Sequence, residues 1–116
     1  MTETQSTIAA WADATFGPAV SLESIAERAM KELAELVEKC RALDGAIADR
    51  DPPTYAAYAA KAVTEEAADV VIVLARIFES CGVDMHDAID RKMAINRARR
   101  WTLDGNGHGQ HVEDEP

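Results

Sequence analysis

Residues 66–74 read EAADVVIVL, a pair of acids followed directly by an uninterrupted apolar run. On a helix, Glu66 and Asp69 are three residues apart and share one face, which Val73 and Ile77 continue. Carboxylates that enter an apolar core cost free energy unless they gain a partner there. The stretch therefore predicts a long central helix whose two acids meet a partner such as a metal ion.

An earlier segment carries a matching acidic pair, Glu32 and Glu35. Shifting the sequence by 34 residues aligns residues 31–37 (KELAELV) with residues 65–71 (EEAADVV), and in both segments the acids flank the apolar face on the same side. Two helices packed antiparallel would direct four carboxylates to one place, and hard divalent cations such as Mg²⁺ and Mn²⁺ prefer oxygen ligands. Each pair alone is common on solvated helices, so a surface role and a metal site both stay open.

Composition indicates an all-α fold. The chain has 116 residues, which suit one domain, and its hydrophobic content of 47% is rich in alanine while aromatic residues make up only 5%. Helical periodicity predicts helices near residues 21–43, 54–81 and 85–101, preceded by a short N-terminal helix. The expected N-caps are Ser6 or Thr7, Ser21, Thr54 and Asp84, and the expected stops are Phe16-Gly17-Pro18, Asp44-Gly45 and Gly82.

We expect three segments within a single domain. Residues 1–20 form the N-terminal helix and its turn, residues 21–101 the helical core, and residues 102–116 a Gly/His loop with an acidic tail. The two cysteines, Cys40 and Cys81, are too few for a disulfide framework, and both follow apolar helical positions. They are therefore expected to be buried free thiols.

Charge and hydropathy limit the classes of partner. A net charge of −9 disfavours binding to a nucleic-acid polymer, because the phosphates would be repelled. A small phosphate ligand stays compatible, since bound metal ions reverse the local field. The sequence shows neither a signal peptide nor a membrane span, so we expect no membrane partner and a cytoplasmic location.

The last predicted helix carries cationic and amide side chains. Lys92 and Asn96 share one of its faces and Arg99 follows, a set that suits phosphate oxygens but also a basic helix end paired with acidic surface. Together with the four acids, this set predicts metal-assisted phosphoryl chemistry, with Glu38 or Glu65 as the candidate acceptor of a water proton. No P-loop is present, because the glycine-rich residues 105–109 lack its lysine and helix.

These segments resemble the MazG-like, all-α nucleoside triphosphate pyrophosphohydrolases. Their motif is E-E-x-x-E on one helix, E-x-x-D on the next and K-x-x-x-N-x-x-R on a later one, and here the segments are residues 31–35, 66–69 and 92–99. Residues 16–18, 96–101 and 107–112 resemble a small single-domain branch found in phages and bacteria. The similarity covers roughly residues 11–112.

The resemblance implies a four-helix-bundle-type fold of antiparallel helices with subunit–subunit packing, as a homodimer or homotetramer. It implies hydrolysis of a nucleoside triphosphate to the monophosphate and pyrophosphate, with purine deoxynucleotides favoured, in the host cytoplasm if the chain is phage-encoded. Two or three Mg²⁺ ions, for which Mn²⁺ substitutes, would be held by Glu32, Glu35, Glu66 and Asp69. The phosphates would be held by Lys92, Asn96 and Arg99.

Aromatic residues in the similar segments are candidates for stacking on the nucleobase. They are Trp11, Phe16 and Trp101, and the alternative is that all three are packing residues.

One departure from the family pattern keeps other functions open. Lys31 stands where the family motif has its first glutamate. A non-catalytic acidic binding module, or a degenerate family member, is therefore the main alternative. A di-iron carboxylate bundle is disfavoured because it needs E-x-x-H on paired helices, and none of the three histidines follows that spacing in the acidic helices.

Overall fold

The computed structural model describes residues 2–113, so Met1 and the end of the expected acidic tail lie outside the described residues. The described chain is built mainly of helices, which confirms the all-α class. Its elements are α1 (Gln5–Phe16), α2 (Leu22–Ala48), α3 (Pro53–Ser80), α4 (Met85–Ala98), β1 (Trp101–Leu103) and β2 (Gly109–His111). Residues through Val83 form one compact unit and residues from Asp84 form a second. The segment boundaries expected within a single domain stay a prediction.

The first unit is a hairpin of two long helices with α1 packed against α3. A short connection joins α2 to α3, so the two helices run antiparallel. Most of the buried apolar side chains in residues 2–113 are alanines, which let helix backbones approach closely. They are Ala9, Ala12, Ala46, Ala59 and Ala75, with Ile25 as the larger exception.

Helix starts follow side-chain capping, with two corrections. Ser21 and Asp84 cap α2 and α4 as predicted, through the backbone N–H groups of Ser24 and Asp87. The cap of α1 is Thr4, not Ser6 or Thr7, because Thr4 and Thr7 each accept a hydrogen bond from the other's backbone N–H. Helix α3 begins at Pro53, not after a Thr54 cap, because proline suits the first helical turn.

Helix ends are confirmed where glycine takes a positive φ. Gly17 (φ 82°) and Gly82 (φ 68°) end α1 and α3. The predicted stop at residues 44–45 is wrong, because Gly45 keeps a helical φ and α2 continues to Ala48. The chain leaves the helix only near Arg50, which has a φ of 55°.

The second unit ends in a β-hairpin that was not predicted. Helix α4 stops at Ala98, so the predicted helix over residues 85–101 is too long, and Trp101 opens the first strand. The strands pair antiparallel, with Trp101 opposite His111. In the connecting loop, the Asp104 carboxylate accepts hydrogen bonds from the backbone N–H groups of Asn106 and His108. The expected Gly/His loop is therefore a hydrogen-bonded turn between two short strands.

The structure also bears on the two cysteines and on the apolar length of the helices. Cys40 is half-buried but Cys81 is exposed at the end of α3, so the expectation of buried thiols is wrong for Cys81. Within residues 2–113, no helix is long and apolar enough to cross a membrane.

Candidate metal centre

Three of the four predicted metal ligands lie together. Glu32, Glu35 and Glu66 each place a carboxylate oxygen within 4.8 Å of the others. The packing of α2 against α3 explains the grouping, because Glu32 and Glu35 lie one helical turn apart on one face of α2 and both approach Glu66 of α3. These residues form the carboxylate cluster.

The members of the carboxylate cluster differ in how their charge is compensated. Glu32 is only 7% exposed, and its Oε1 accepts a hydrogen bond of 2.6 Å from the guanidinium of Arg28. Within the described chain, Glu66 Oε2 is buried and has no hydrogen-bond partner. A carboxylate oxygen left in this state costs free energy that a bound cation would offset. The cluster therefore fits a divalent metal ion.

Repulsion inside the cluster acts on Glu35. The negative charge of Glu32, followed by that of Glu66, raises the pKa of the Glu35 carboxyl above its usual value, and loss of water adds to the increase. Glu35 itself is exposed. It is therefore the member of the cluster that solvent, protons and metal ions reach most easily.

The fourth predicted ligand, Asp69, lies outside the carboxylate cluster. It is exposed on α3, and it lines a cavity of about 560 Å³ together with Glu32. Its side chain is one methylene shorter than that of glutamate, which reduces its reach toward the cluster. The structure thus places Asp69 beside the cluster, on the cavity side.

This cavity joins the acidic residues to an aromatic wall. Trp11 and Phe16, two of the three candidates for base stacking, line it from α1, and their rings meet edge to face at 5.5 Å. The cavity volume falls within the range of small-molecule sites. Its other lining residues are Ala12, Gly17, Pro18, Ala19, Ser24, Ile25, Arg28, Ile72, Val73 and Arg76.

Two arginines of this cavity were missed by the sequence analysis. Arg28 lies four residues before Glu32 and pairs with it, and Arg76 lies on the apolar face of α3. Arg76 donates hydrogen bonds to Asp13 and to the carbonyl of Gly17. The available signal was the position of Arg76, a cation three residues beyond Val73 on the helix face that begins with Glu66 and Asp69.

The predicted phosphate ligands belong to the second unit. Lys92 is exposed on α4, whereas Asn96 is half-buried and its Oδ1 has no hydrogen-bond partner among residues 2–113. Arg99 is the C-cap of α4 and not part of its last turn, because the helix ends at Ala98. Trp101 stands in β1, where its indole Nε1 donates to the Asn96 carbonyl. The roles of all four in binding stay predictions.

The candidate proton acceptors, Glu38 and Glu65, lie outside the carboxylate cluster. Both are exposed, and Glu65 forms a loose pair with Lys61 at 3.9 Å. Their role also stays a prediction.

The chain is similar to one solved structure over nearly its whole length. That structure is the cyanophage S-2L MazG-like pyrophosphohydrolase bound to dGDP and three catalytic Mn²⁺ ions per active site. The two share 29% sequence identity and a TM-score of 0.53, over 96% of this chain and 91% of the other. No protein-family profile matches the sequence.

Two curated relatives agree with this likeness. A dATP/dGTP diphosphohydrolase of Salmonella phage PMBT28 is 35% identical over 112 residues, which are 97% of this chain but only 31% of that protein. A dATP/dGTP diphosphohydrolase of cyanophage S-2L is 45% identical over 47 residues, or 40% of this chain and 45% of that one. The matches therefore span less than half the length of either relative.

The helical hairpin and its acidic residues have the all-α fold of a MazG-like protein. In sequence the chain is similar to phage proteins named dATP/dGTP diphosphohydrolases.

Proposed function

We propose that this chain hydrolyses deoxynucleoside triphosphates to the monophosphate and pyrophosphate, with dATP and dGTP preferred. The observation that carries the proposal is the carboxylate cluster at the edge of a cavity with an aromatic wall. The family relatives are named for this activity on these two nucleotides. A cavity that combines acids and aromatic rings suits a ligand with a metal-bound polyphosphate and a flat base.

Glu32, Glu35 and Glu66 would hold the divalent ions, with Asp69 as the fourth ligand on the cavity side. Mg²⁺ is the proposed metal, in two or three ions per site, and Mn²⁺ would substitute, as in the solved relative. When bound, the ions would polarise the phosphoryl group and lower the pKa of a water ligand. Glu38 or Glu65 would accept the proton that this water loses, since the cluster carboxylates are engaged by metal.

The remaining predicted residues would bind the nucleotide. Lys92, Asn96 and Arg99 would hold the phosphates, because cationic and amide donors match phosphate oxygens. Trp11 and Phe16 would stack on the base from the cavity wall, and Trp101 is a third candidate from β1.

The proposed assembly is a homodimer or homotetramer in the cytoplasm, where deoxynucleotides are found. Exposed apolar side chains on α2 and α3 support the assembly, including Leu33, Val37 and Val71. If the chain is phage-encoded, the compartment is the cytoplasm of the host.

The test is a substrate screen with the purified full chain. Each of the common ribo- and deoxyribonucleoside triphosphates is incubated with Mg²⁺ or Mn²⁺, and monophosphate, pyrophosphate and inorganic phosphate are measured separately. We expect pyrophosphate and monophosphate in equal amounts, with dATP and dGTP turned over fastest. Release of inorganic phosphate would contradict the proposed bond cleavage. Metal binding by calorimetry without hydrolysis of any nucleotide would instead identify a non-catalytic binding module.

A further inference from the structure

Arg76 is a largely buried cation on the helix that carries Glu66 and Asp69. Its side chain is only 16% exposed, and it lies seven residues after Asp69, two helical turns along the same face of α3. Burying a guanidinium costs free energy unless its donors are paired. The hydrogen-bond partners of Arg76 therefore indicate which part of the structure the buried guanidinium stabilises.

The two hydrogen-bond acceptors of Arg76 lie in one short segment of the chain. The Nη2 atom donates to Asp13 Oδ1 at 2.8 Å and to the carbonyl oxygen of Gly17 at 3.1 Å. Asp13 is in the last turn of α1, and Gly17 is the residue at which that helix ends, with a φ of 82°. One guanidinium thus joins α3 to the end of α1 at two points.

The joined segment is the one that carries the aromatic wall. Phe16 immediately precedes Gly17, and Trp11 contacts Phe16 edge to face. Phe16 is 70% exposed and Trp11 is 54% exposed, so burial alone does not fix either ring. The hydrogen bonds of Arg76 to Asp13 and Gly17 restrict the position of the segment that carries these rings.

We propose that Arg76, through Asp13 and the Gly17 carbonyl, is a positioning residue that sets the distance between the aromatic wall and the carboxylate cluster. This inference rests on the proposed function, since it assigns the wall to nucleobase binding. Arg76 acts through the segment that carries Trp11 and Phe16, which its hydrogen bonds to Asp13 and the Gly17 carbonyl join to α3. A purine held at the wall would then present its triphosphate to the cluster at a fixed separation.

The first arm of the test needs no nucleotide. In a Trp101→Phe background, Trp11 is the only tryptophan, and its fluorescence anisotropy and quenching by acrylamide report how firmly the wall is held. Asp13→Ala should lower the anisotropy and increase the quenching, and Asp13→Asn should restore much of the change because its amide oxygen still accepts a hydrogen bond. The matched control is Asp44→Ala, an exposed acid of α2. Unchanged fluorescence in Asp13→Ala would overturn the proposal.

The second arm separates binding from chemistry. Asp13→Ala in the otherwise unchanged chain should raise KM for dATP or dGTP about fivefold or more, while kcat changes by less than about twofold. Thermal stabilisation by Mn²⁺ alone should stay as in the unmodified chain. A loss confined to kcat, or a weakened Mn²⁺ effect, would overturn the proposal. If the unmodified chain hydrolyses no nucleotide, the proposed function fails, and the fluorescence arm still decides whether Arg76 positions the wall.

Discussion

Glu66 is the carboxylate whose environment most clearly favours a bound cation. Its Oε2 is buried without a hydrogen-bond partner in the described chain, and Glu32 and Glu35 lie beside it. In Glu66→Gln the new amide would donate hydrogen bonds to the neighbouring carboxylates and would remove one negative charge. We therefore expect the metal-free variant to melt at the same or a higher temperature than the unmodified chain.

The same substitution should abolish hydrolysis. Loss of one transition-state donor typically costs on the order of 10²–10³ in rate, and loss of a metal ligand costs more. Turnover and melting temperature with and without Mg²⁺ are the measurements, with Glu27→Gln, an exposed acid of α2, as the control. Asp69→Asn, Glu32→Gln and Glu35→Gln should also lose activity. Wild-type turnover in Glu66→Gln, or full stabilisation by Mg²⁺, would contradict the four-carboxylate site.

Glu35 should make the stability of the metal-free protein depend on pH. Its pKa is raised in the folded state by the charges of Glu32 and Glu66, so the ionised carboxyl destabilises the fold. This destabilisation is present above the raised pKa and is relieved as pH falls through it. Glu35→Gln should therefore melt higher than the unmodified chain at neutral pH in the presence of a chelator, and the difference should shrink as pH is lowered. A difference that does not vary with pH would show that repulsion is not its cause.

At the scale of helices, sequence periodicity predicted that acids of two neighbouring helices would lie together. The repeated acidic pairs placed Glu32, Glu35 and Glu66 correctly on facing helices, because side-chain spacing fixes a helix face before any tertiary contact is known. The position of Asp69 depends on how far a shorter side chain reaches across the interface. Periodicity does not give that distance, so the sequence grouped Asp69 with the other three acids.

Tertiary contacts explain the other differences. Arg76 was missed because its partners Asp13 and Gly17 are distant in sequence, and no local pattern links them. The hairpin was missed because its strands are only three residues each and the second begins with a glycine. Close packing of Gly109 against the Thr102 carbonyl, which a Cβ would approach to 2.6 Å, is visible only once the strands are paired.

The extension of α2 through Gly45 leads to a prediction for that helix. Gly45 has a helical φ, and a Cβ added there would meet no atom within 4 Å. Gly45→Ala should therefore stabilise the protein by about 0.5–1 kcal/mol, because alanine loses less backbone entropy on folding than glycine does. Urea unfolding measures the change. Gly17→Ala is the contrasting control, since its φ of 82° should make the same substitution destabilising.

For the molecule as a whole, the thin core leaves apolar surface that a single copy does not cover. The buried apolar side chains of the described residues are nearly all alanine, whereas Met30, Leu33 and Val37 form an exposed stripe along α2 at helical spacing. Apolar stripes of this kind usually mark a protein interface. The proposed homodimer or homotetramer would bury this stripe.

Sedimentation of the purified chain at micromolar concentration should therefore show a dimer or tetramer. Met30→Glu combined with Val37→Glu should shift the population toward monomer, because buried charges of the same sign would repel across a symmetric interface while glutamate keeps the helix favourable. Val20→Glu is the matched control, since Val20 is 92% exposed and lies before α2. A monomeric unmodified chain would refute the assembly. An oligomer that survives the double substitution would place the interface elsewhere, because the stripe would then not be what the subunits bury.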